Sequence, residues 1–467
     1  MEINGAITQA RSPHLGVAAL AMAILLASLG ISIVTVALPI LARDFALPVT
    51  GAQWVVLAYL LSVTVTIVMA GRLGDLIGHR RVLLAGLVIF GAASAFCSIA
   101  PTIVMLIAAR VTQGVGGAIL MALPVSIIRE AVVKERTGSA MGLLGTMSAI
   151  GTALGPSLGG VVIAWSGWRA TFLILALMAL VALIFAARAL PTDRIGQRGE
   201  RKSLDLPGAL VLVLTLAAYS LSMSGGGNGF SITNALLLAG AALGVVVFVI
   251  MEHGRETPLV DPAALGSRTV SVSLLMNLLV SNVMMATLVV GPFYLTFALH
   301  LNEALVGLVM AVGPVMAALS GVPAGRITDR FGAGRTLIVG LGQMVIGLLC
   351  LSVLPDIFGV AGYILSLMLL TPGFQLFLAA NNTTVMLAAR DDQRGMISGL
   401  LGPSRNLGFM TGASVMGAVF AMAAGTPDIV GAAPEAISAA FATTFQMAAG
   451  LMAFAILLTV LKRGPSR

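Results

Sequence analysis

Charge is scarce in this chain. Only 9% of its 467 residues are Asp, Glu, Lys or Arg, against about 25% in soluble proteins. With 58% hydrophobic residues and a mean hydropathy of +1.05, too few charges remain to clothe a surface facing water. That excludes a soluble enzyme and a disordered chain. Cysteine is nearly absent. Cys97 and Cys350, both inside apolar runs, exclude a disulfide-stapled domain and fit no metal site. Histidine occurs four times, as His14, His79, His253 and His300, always at the end of an apolar run or in a loop. Also missing are a Walker A loop, an H-E-x-x-H helix and a G-x-S-x-G elbow with partners, so neither ATP-driven chemistry nor a membrane-embedded hydrolase has its residues. Nothing calls for a cofactor or a metal. The basic excess, +8 net, is read as loop charge holding a membrane topology and not as a nucleic-acid surface.

Apolar runs are what the chain has in quantity. A bilayer-crossing helix needs about 20 mainly apolar residues. Fourteen such runs occur, at 15–40, 52–71, 82–100, 102–124, 138–163, 170–187, 207–224, 232–251, 269–297, 304–325, 336–354, 358–380, 396–423 and 437–461. The first is too long for a signal peptide. With the N-terminus inside, 22 of the 26 Lys and Arg residues fall in cytoplasmic segments, and an even span count returns the C-terminus to the same side. The expectation is an all-α polytopic membrane protein of 14 transmembrane helices with both termini cytoplasmic.

The chain also repeats. GRLGDLIGHRRVLLAG at 71–86 and GRITDRFGAGRTLIVG at 325–340 agree at 7 of 16 positions. Both lie in loops of the same orientation, which implies a parallel repeat. The offset of 254 residues holds six spans and two more, hence a 6 + 2 + 6 arrangement. The expected units are 1–189, a six-helix bundle; 190–268, a linker with two extra helices; and 269–467, a second six-helix bundle.

Three stretches carry chemistry. In the loop at 71, Gly71, Gly74 and Gly78 permit a tight turn. Asp75 lies in the same loop, and Arg80 and Arg81 are expected to keep it on the cytoplasmic face. In the fourth span, Arg110 lies about two turns inside, with Gln113, Gly114 and Gly117 on its face. A lipid-exposed arginine there is costly, so it is expected to turn inward to carbonyl, water or side-chain partners. In the fifth span, Gly151, Gly155 and Gly159 recur every fourth residue beside Pro156 and Gly160. That spacing gives a smooth contact ridge with a proline kink.

These stretches resemble the major facilitator superfamily. GRLGDLIGHRR is similar to its signature loop, AARVTQGVGGA (108–118) to its embedded-arginine motif, and GTALGPSLGG (151–160) to the motif of its antiporter branch. QWVVLAYLL (53–61), WSGWRATFLI (165–174) and SRNLG (404–408), with the span count, resemble the fourteen-helix drug:proton antiporters of the multidrug efflux type. The resemblance runs from about residue 15 to 461. It implies a major facilitator fold in the cell inner or plasma membrane. It further implies export of small amphipathic or drug-like compounds by alternating access, as a monomer in the lipid bilayer, coupled to protons. An uptake carrier or uniporter for a neutral or anionic metabolite is the alternative, and a non-transporting membrane sensor a weaker one.

One family residue is missing. Aligned back from Pro39, the first-span aspartate of the fourteen-helix antiporters falls on Gly30. None of the 18 Asp and Glu residues lies inside the fourteen spans. A cavity without an acid and with Arg110 suits neutral, amphipathic or anionic substrates. Proton coupling then has to use Asp75 or a rim acid such as Glu303, or be weak. Candidate cavity groups are Gln53, Tyr59, Asn277, Asn282, Tyr294, Gln375 and Asn381. For each, the alternative is a hydrogen bond between helices that never meets substrate.

Overall fold

The computed structural model describes residues 13–131, 134–190, 206–223, 231–253, 267–388, 394–426 and 429–462. Among them the structure is helical. Hydrocarbon offers no partner for a free N–H or C=O, so long apolar segments satisfy their backbone internally. The helices are α1 (Pro13–Ser32), α2 (Leu38–Asp44), α3 (Val49–Ile77), α4 (His79–Ile99), α5 (Ile103–Ala131), α6 (Lys134–Ser166), α7 (Trp168–Ala189), α8 (Leu206–Met223) and α9 (Ile232–His253). Then follow α10 (Arg268–Phe293), α11 (Glu303–Phe331), α12 (Ala333–Phe358), α13 (Val360–Ala388), α14 (Arg394–Thr411), α15 (Gly417–Ala423) and α16 (Pro434–Lys462). A 3-10 turn at Thr35–Ala37 joins α1 to α2. A π turn at Gly412–Met416 joins α14 to α15, and another, Tyr294–Ala298, follows α10.

Each of the fourteen apolar runs is mainly helical over its described residues. Twelve spans among the described residues are long and apolar enough to cross a membrane; Ile150–Ser166 in α6 and Leu210–Tyr219 in α8 are shorter apolar stretches. Several helices outrun the expected spans, so Asp75, Asp329 and Asp356 fall in terminal turns. Glu252, just past an expected span, is buried at 1% exposure near the end of α9.

The helices pack in two matching sets. In the first, α3 and α4 pack on α5, α7 on α4 and α6 on α1. In the second, α11 and α12 pack on α13, α16 on α12 and α14 on α10. The sets meet where α6 contacts α11, where α3 contacts α14 and α15, and where α2 and the 3-10 turn contact α10. The α8–α9 pair lies to the side. Helix α8 touches α3 and α14, with Tyr219 Oη hydrogen-bonded to Thr411 Oγ1. Only 17% of the α9 apolar window is buried, against 78% for α1–α2, so α9 is peripheral and α1 central.

The repeat is visible at atomic detail. Gly78 and Gly332, 254 residues apart, each join two helices as a single residue, with φ of 112° and 83°. Their N–H groups donate to Gly74 O and Thr328 O, both at 2.9 Å. A side chain is strained at such φ values, which explains glycine at both copies. Where α4 meets α5, a Cβ on Gly116 would lie 2.6 Å from Phe90 N and 2.9 Å from Gly86 O. Where α12 meets α13, a Cβ on Gly340 would lie 2.7 Å from Phe377 N and 2.9 Å from Gly373 O. Gly340→Ala is therefore expected to push α12 from α13 and cost about 1–3 kcal/mol. A lowered thermal-unfolding midpoint of the purified protein checks this. Gly342→Ala, on the same helix but facing open space, is the control.

Candidate functional site

Arg110 is the best-defined polar centre. It sits on α5 with 0% exposure. Its Nε donates to Val55 O on α3 at 2.8 Å, and its Nη1 to Gly30 O on α1 at 3.1 Å and to Gln113 Oε1 one turn along its own helix. Gln113 Nε2 donates to Ser94 Oγ on α4 at 2.6 Å, and Ser94 Oγ to Phe90 O at 2.6 Å. The guanidinium lies over the Tyr59 ring, 4.3 Å from its centroid, and 5.9 Å from that of Phe172 on α7. Tyr59 Oη donates to Ala27 O at 3.0 Å. One side chain thus ties α1, α3, α4, α5 and α7 together. A planar fork of donors suits this, because several carbonyls can be held at once while the face stacks on an aromatic ring.

The partners are those expected for an inward-turned arginine, and they are uncharged. Carbonyl dipoles and ring faces compensate the cation. The Nη2 atom has no hydrogen-bond partner. Gly114 and Gly117 keep α5 close to α3: a Cβ on Gly114 would lie 2.7 Å from Tyr59 O, and one on Gly117 would overlap the Tyr59 hydroxyl.

The glycine ridge of α6 presses on α1. A Cβ on Gly151 would lie 3.0 Å from Ser28 Cβ, one on Gly155 would overlap Ser32, and one on Gly159 would lie 2.8 Å from Ile33 O. Ser32 Oγ donates to Gly151 O at 3.2 Å. Gly160 turns to the other set, where a Cβ would lie 2.7 Å from Gly307 Cα on α11; Gly307 in turn lies against Pro156 O.

In the loop motif, Arg80 Nη2 donates to Ala187 O at 2.7 Å, capping the carbonyl end of α7 where a cation is favoured. Arg81 is exposed, and Gly71 faces open space. The backbone of Asp75 lies in α3, and its side chain lies outside the described residues. So do the side chains of the basic residues Arg129, Lys134, Arg136, Arg194, Arg198, Arg201, Lys202, Arg390 and Arg394.

The cavity candidates scatter. Tyr59 belongs to the Arg110 cluster. Asn277 Nδ2 donates to Leu401 O at 2.9 Å and Asn381 Nδ2 to Ser273 O at 3.3 Å, so both amides clamp neighbouring helices. Tyr294 stacks on Phe441 at 4.1 Å inside an aromatic group with Tyr363 and Phe445. Asn282 is 5% exposed, with its Oδ1 unpartnered. Gln375 is half-buried, near Gly321. Gln53 is 1% exposed, against Gly417. Sequence reasoning missed Ser94 and Phe172, since no spacing links them to Arg110 before the chain folds.

A hollow of about 380 Å³ opens at the α6–α7 turn, lined by Arg43, Asp44, Trp168, Arg169 and Glu303 among others. Trp168 Nε1 donates to Asp44 Oδ2 at 3.0 Å, and Arg169 lies 4.2 Å over the Trp168 ring. The WSGWR stretch therefore pins α2 to the start of α7.

The family model of the Major Facilitator Superfamily matches residues 20–413 and again 272–467. The chain belongs to the Major Facilitator Superfamily. Among curated relatives of this facilitator, an uncharacterized transporter, YebQ of Escherichia coli, is 32% identical over 82% of the chain and 84% of the relative. The riboflavin transporter RibZ of Clostridioides difficile is 29% identical, with 84% of each covered. The multidrug efflux pump LfrA of Mycolicibacterium smegmatis is 27% identical over 96% of the chain and 91% of the relative. Solved structures share the fold. The nucleoside transporter NupG aligns with a TM-score of 0.68 at 13% identity, covering 96% of this chain and all of NupG. A bacterial homologue of the human lysosomal transporter Spinster, inward-facing and unoccupied, aligns with a TM-score of 0.69 at 15% identity, covering 98% of this chain and all of the homologue.

Proposed function

We propose that this protein exports small amphipathic, drug-like compounds by alternating access between two six-helix halves, driven by proton antiport. The observation that carries the reading is the α6 ridge. It packs on α1 and, through Gly160, on α11 of the other set, so a bendable helix holds the two sets together at one end. Relatives named as a multidrug efflux pump and a multidrug resistance protein support export. The proposed halves are 1–189 and 269–467, with 190–268 contributing the extra pair α8–α9, fourteen spans in all. Both termini are cytoplasmic in this reading, the protein is a monomer in the cell inner or plasma membrane, and the α6–α7 turn faces outward. Glu303, half-buried in the hollow beside Arg43 and Arg169, and Asp75 at the opposite end are the proton-carrying candidates. Gln53, Asn282 and Gln375 are the candidates for substrate contact.

Everted membrane vesicles test the reading. With an acid interior, an amphipathic fluorescent substrate is expected to accumulate, and a protonophore to abolish the accumulation. No gradient-dependent accumulation across a broad panel of neutral, anionic and cationic compounds overturns proton antiport. The riboflavin transporter among the relatives favours a second reading, uptake of a flat polar metabolite. Intact cells separate the two by the sign of net flux.

A further inference from the structure

The contact between α6 and α11 has a counterpart across the bundle. Gln53, near the start of α3, is 1% exposed, and its side-chain amide occupies the space that a Cβ on Gly417 would take. Gly417 is the first residue of α15, directly after the π turn. The repeat relates the two contacts. Gly307 follows Gln53 by 254 residues, as Gly325 follows Gly71; Gly417 follows Gly160 by 257, as Gly373 follows Gly116. The same pair of positions thus joins the sets twice. At Gly160–Gly307 both members are glycine and the backbones touch. At Gln53–Gly417 one glycine is replaced by glutamine, and its amide fills the gap.

The replacement has a chemical consequence. Gln53 Nε2 is buried and has no hydrogen-bond partner. A buried donor without a partner destabilises the state that buries it, and water satisfies it when the contact opens. The Gly160–Gly307 contact carries no such group. We infer that Gln53 and Gly417 form a releasable gate between the halves, the first of the two seams to part when this end of the transporter opens. The inference rests on the alternating-access reading and adds to it an asymmetry: the α3–α15 seam parts before the α6–α11 seam.

Thiol labelling in the full-length protein tests the gate. Cys97 and Cys350 are first replaced by alanine. Leu57→Cys then places a probe one turn along α3 from Gln53, at a position 1% exposed, between Gln53 and Thr64, which both touch the α14–α15 segment. A membrane-impermeant maleimide is applied to intact cells and to inverted vesicles. Gly417→Ala is expected to raise the labelling rate about tenfold by shifting the population toward the open gate. Adding Gln53→Ala is expected to return the rate to that of the parent, because the new methyl then occupies the vacated space. Gly450→Ala, which faces open space, leaves the rate unchanged. Parental labelling in Gly417→Ala, or no relief from Gln53→Ala, overturns the gate. Should Gly417→Ala fail to reach the membrane, Gln53→Met carries the test: it fills the gap without an unpaired donor and is expected to slow labelling, and an unchanged or faster rate overturns the gate. Labelling from inverted vesicles alone leaves the gate standing and overturns the outward placement of this end.

Discussion

Arg110→Ala is expected to abolish transport and to lower stability by about 2–5 kcal/mol, the range for truncating a large buried side chain. The deletion removes a hydrogen bond from each of Val55 O, Gly30 O and Gln113 Oε1. It also leaves the Tyr59 ring without the cation stacked on it. Hydrogen bonds to a charged group contribute about 1.5–3 kcal/mol each, partly offset because the arginine no longer has to be desolvated. Arg110→Lys is not expected to restore the protein, since one ammonium cannot span Val55 O and Gly30 O while lying flat on Tyr59. Gln113→Ala removes the link to Ser94 alone and is expected to cost about 1 kcal/mol. Thermal unfolding in detergent and substrate efflux from cells check the series. Parental melting and parental efflux in Arg110→Ala would sink the view that this side chain holds the first half together.

The sequence announces the helices because hydrocarbon imposes one rule on every span. Apolar runs marked the helical stretches, α8 and α9 among them, although twelve of the described spans are long and apolar enough to cross a membrane. The repeat was legible as text at 71–86 and 325–340, and it survives in space as the paired turns at Gly78 and Gly332. The inward turn of Arg110 was also legible, since lipid exposure would be expensive. Its partners were not. Val55 O and Gly30 O are backbone atoms, which leave no residue signature, and Ser94 is reached only through Gln113. The amides show the same limit from the other side. Asn277 and Asn381 read as cavity groups by residue type, yet each donates to a carbonyl on a neighbouring helix. A single chain cannot reveal that pairing before helix rotation is known. Gln53 became informative only when its amide was found in the gap at Gly417.

An acid placed at position 30 is expected to change what the protein carries. Gly30 stands where the fourteen-helix antiporters resemble one another in having aspartate. The structure places that position beside the arginine cluster: Gly30 O accepts from Arg110, and a Cβ would lie 3.0 Å from Phe90 Cζ and 3.4 Å from Tyr59 Oη. A carboxylate at 30 therefore reaches the neighbourhood of Arg110 after Phe90 gives by a few tenths of an ångström, at an overpacking cost of about 1–3 kcal/mol. Embedded near the centre of α1, it is an exchangeable group for which a proton and a substrate cation compete. Gly30→Asp is expected to confer efflux of a permanently cationic dye that depends on the pH gradient, at least about tenfold above the parent. Gly30→Asn has the same shape without the charge and separates the carboxylate from the crowding. Equal dye efflux by the Asp and Asn variants would refute the claim that the missing carboxylate sets substrate charge. Gain of cation efflux by Gly30→Asp alone would place selectivity on one residue of α1. The parent would then be a carrier suited to neutral or anionic compounds because, among the described residues of that half, the fully buried charge inside the spans is the cation Arg110.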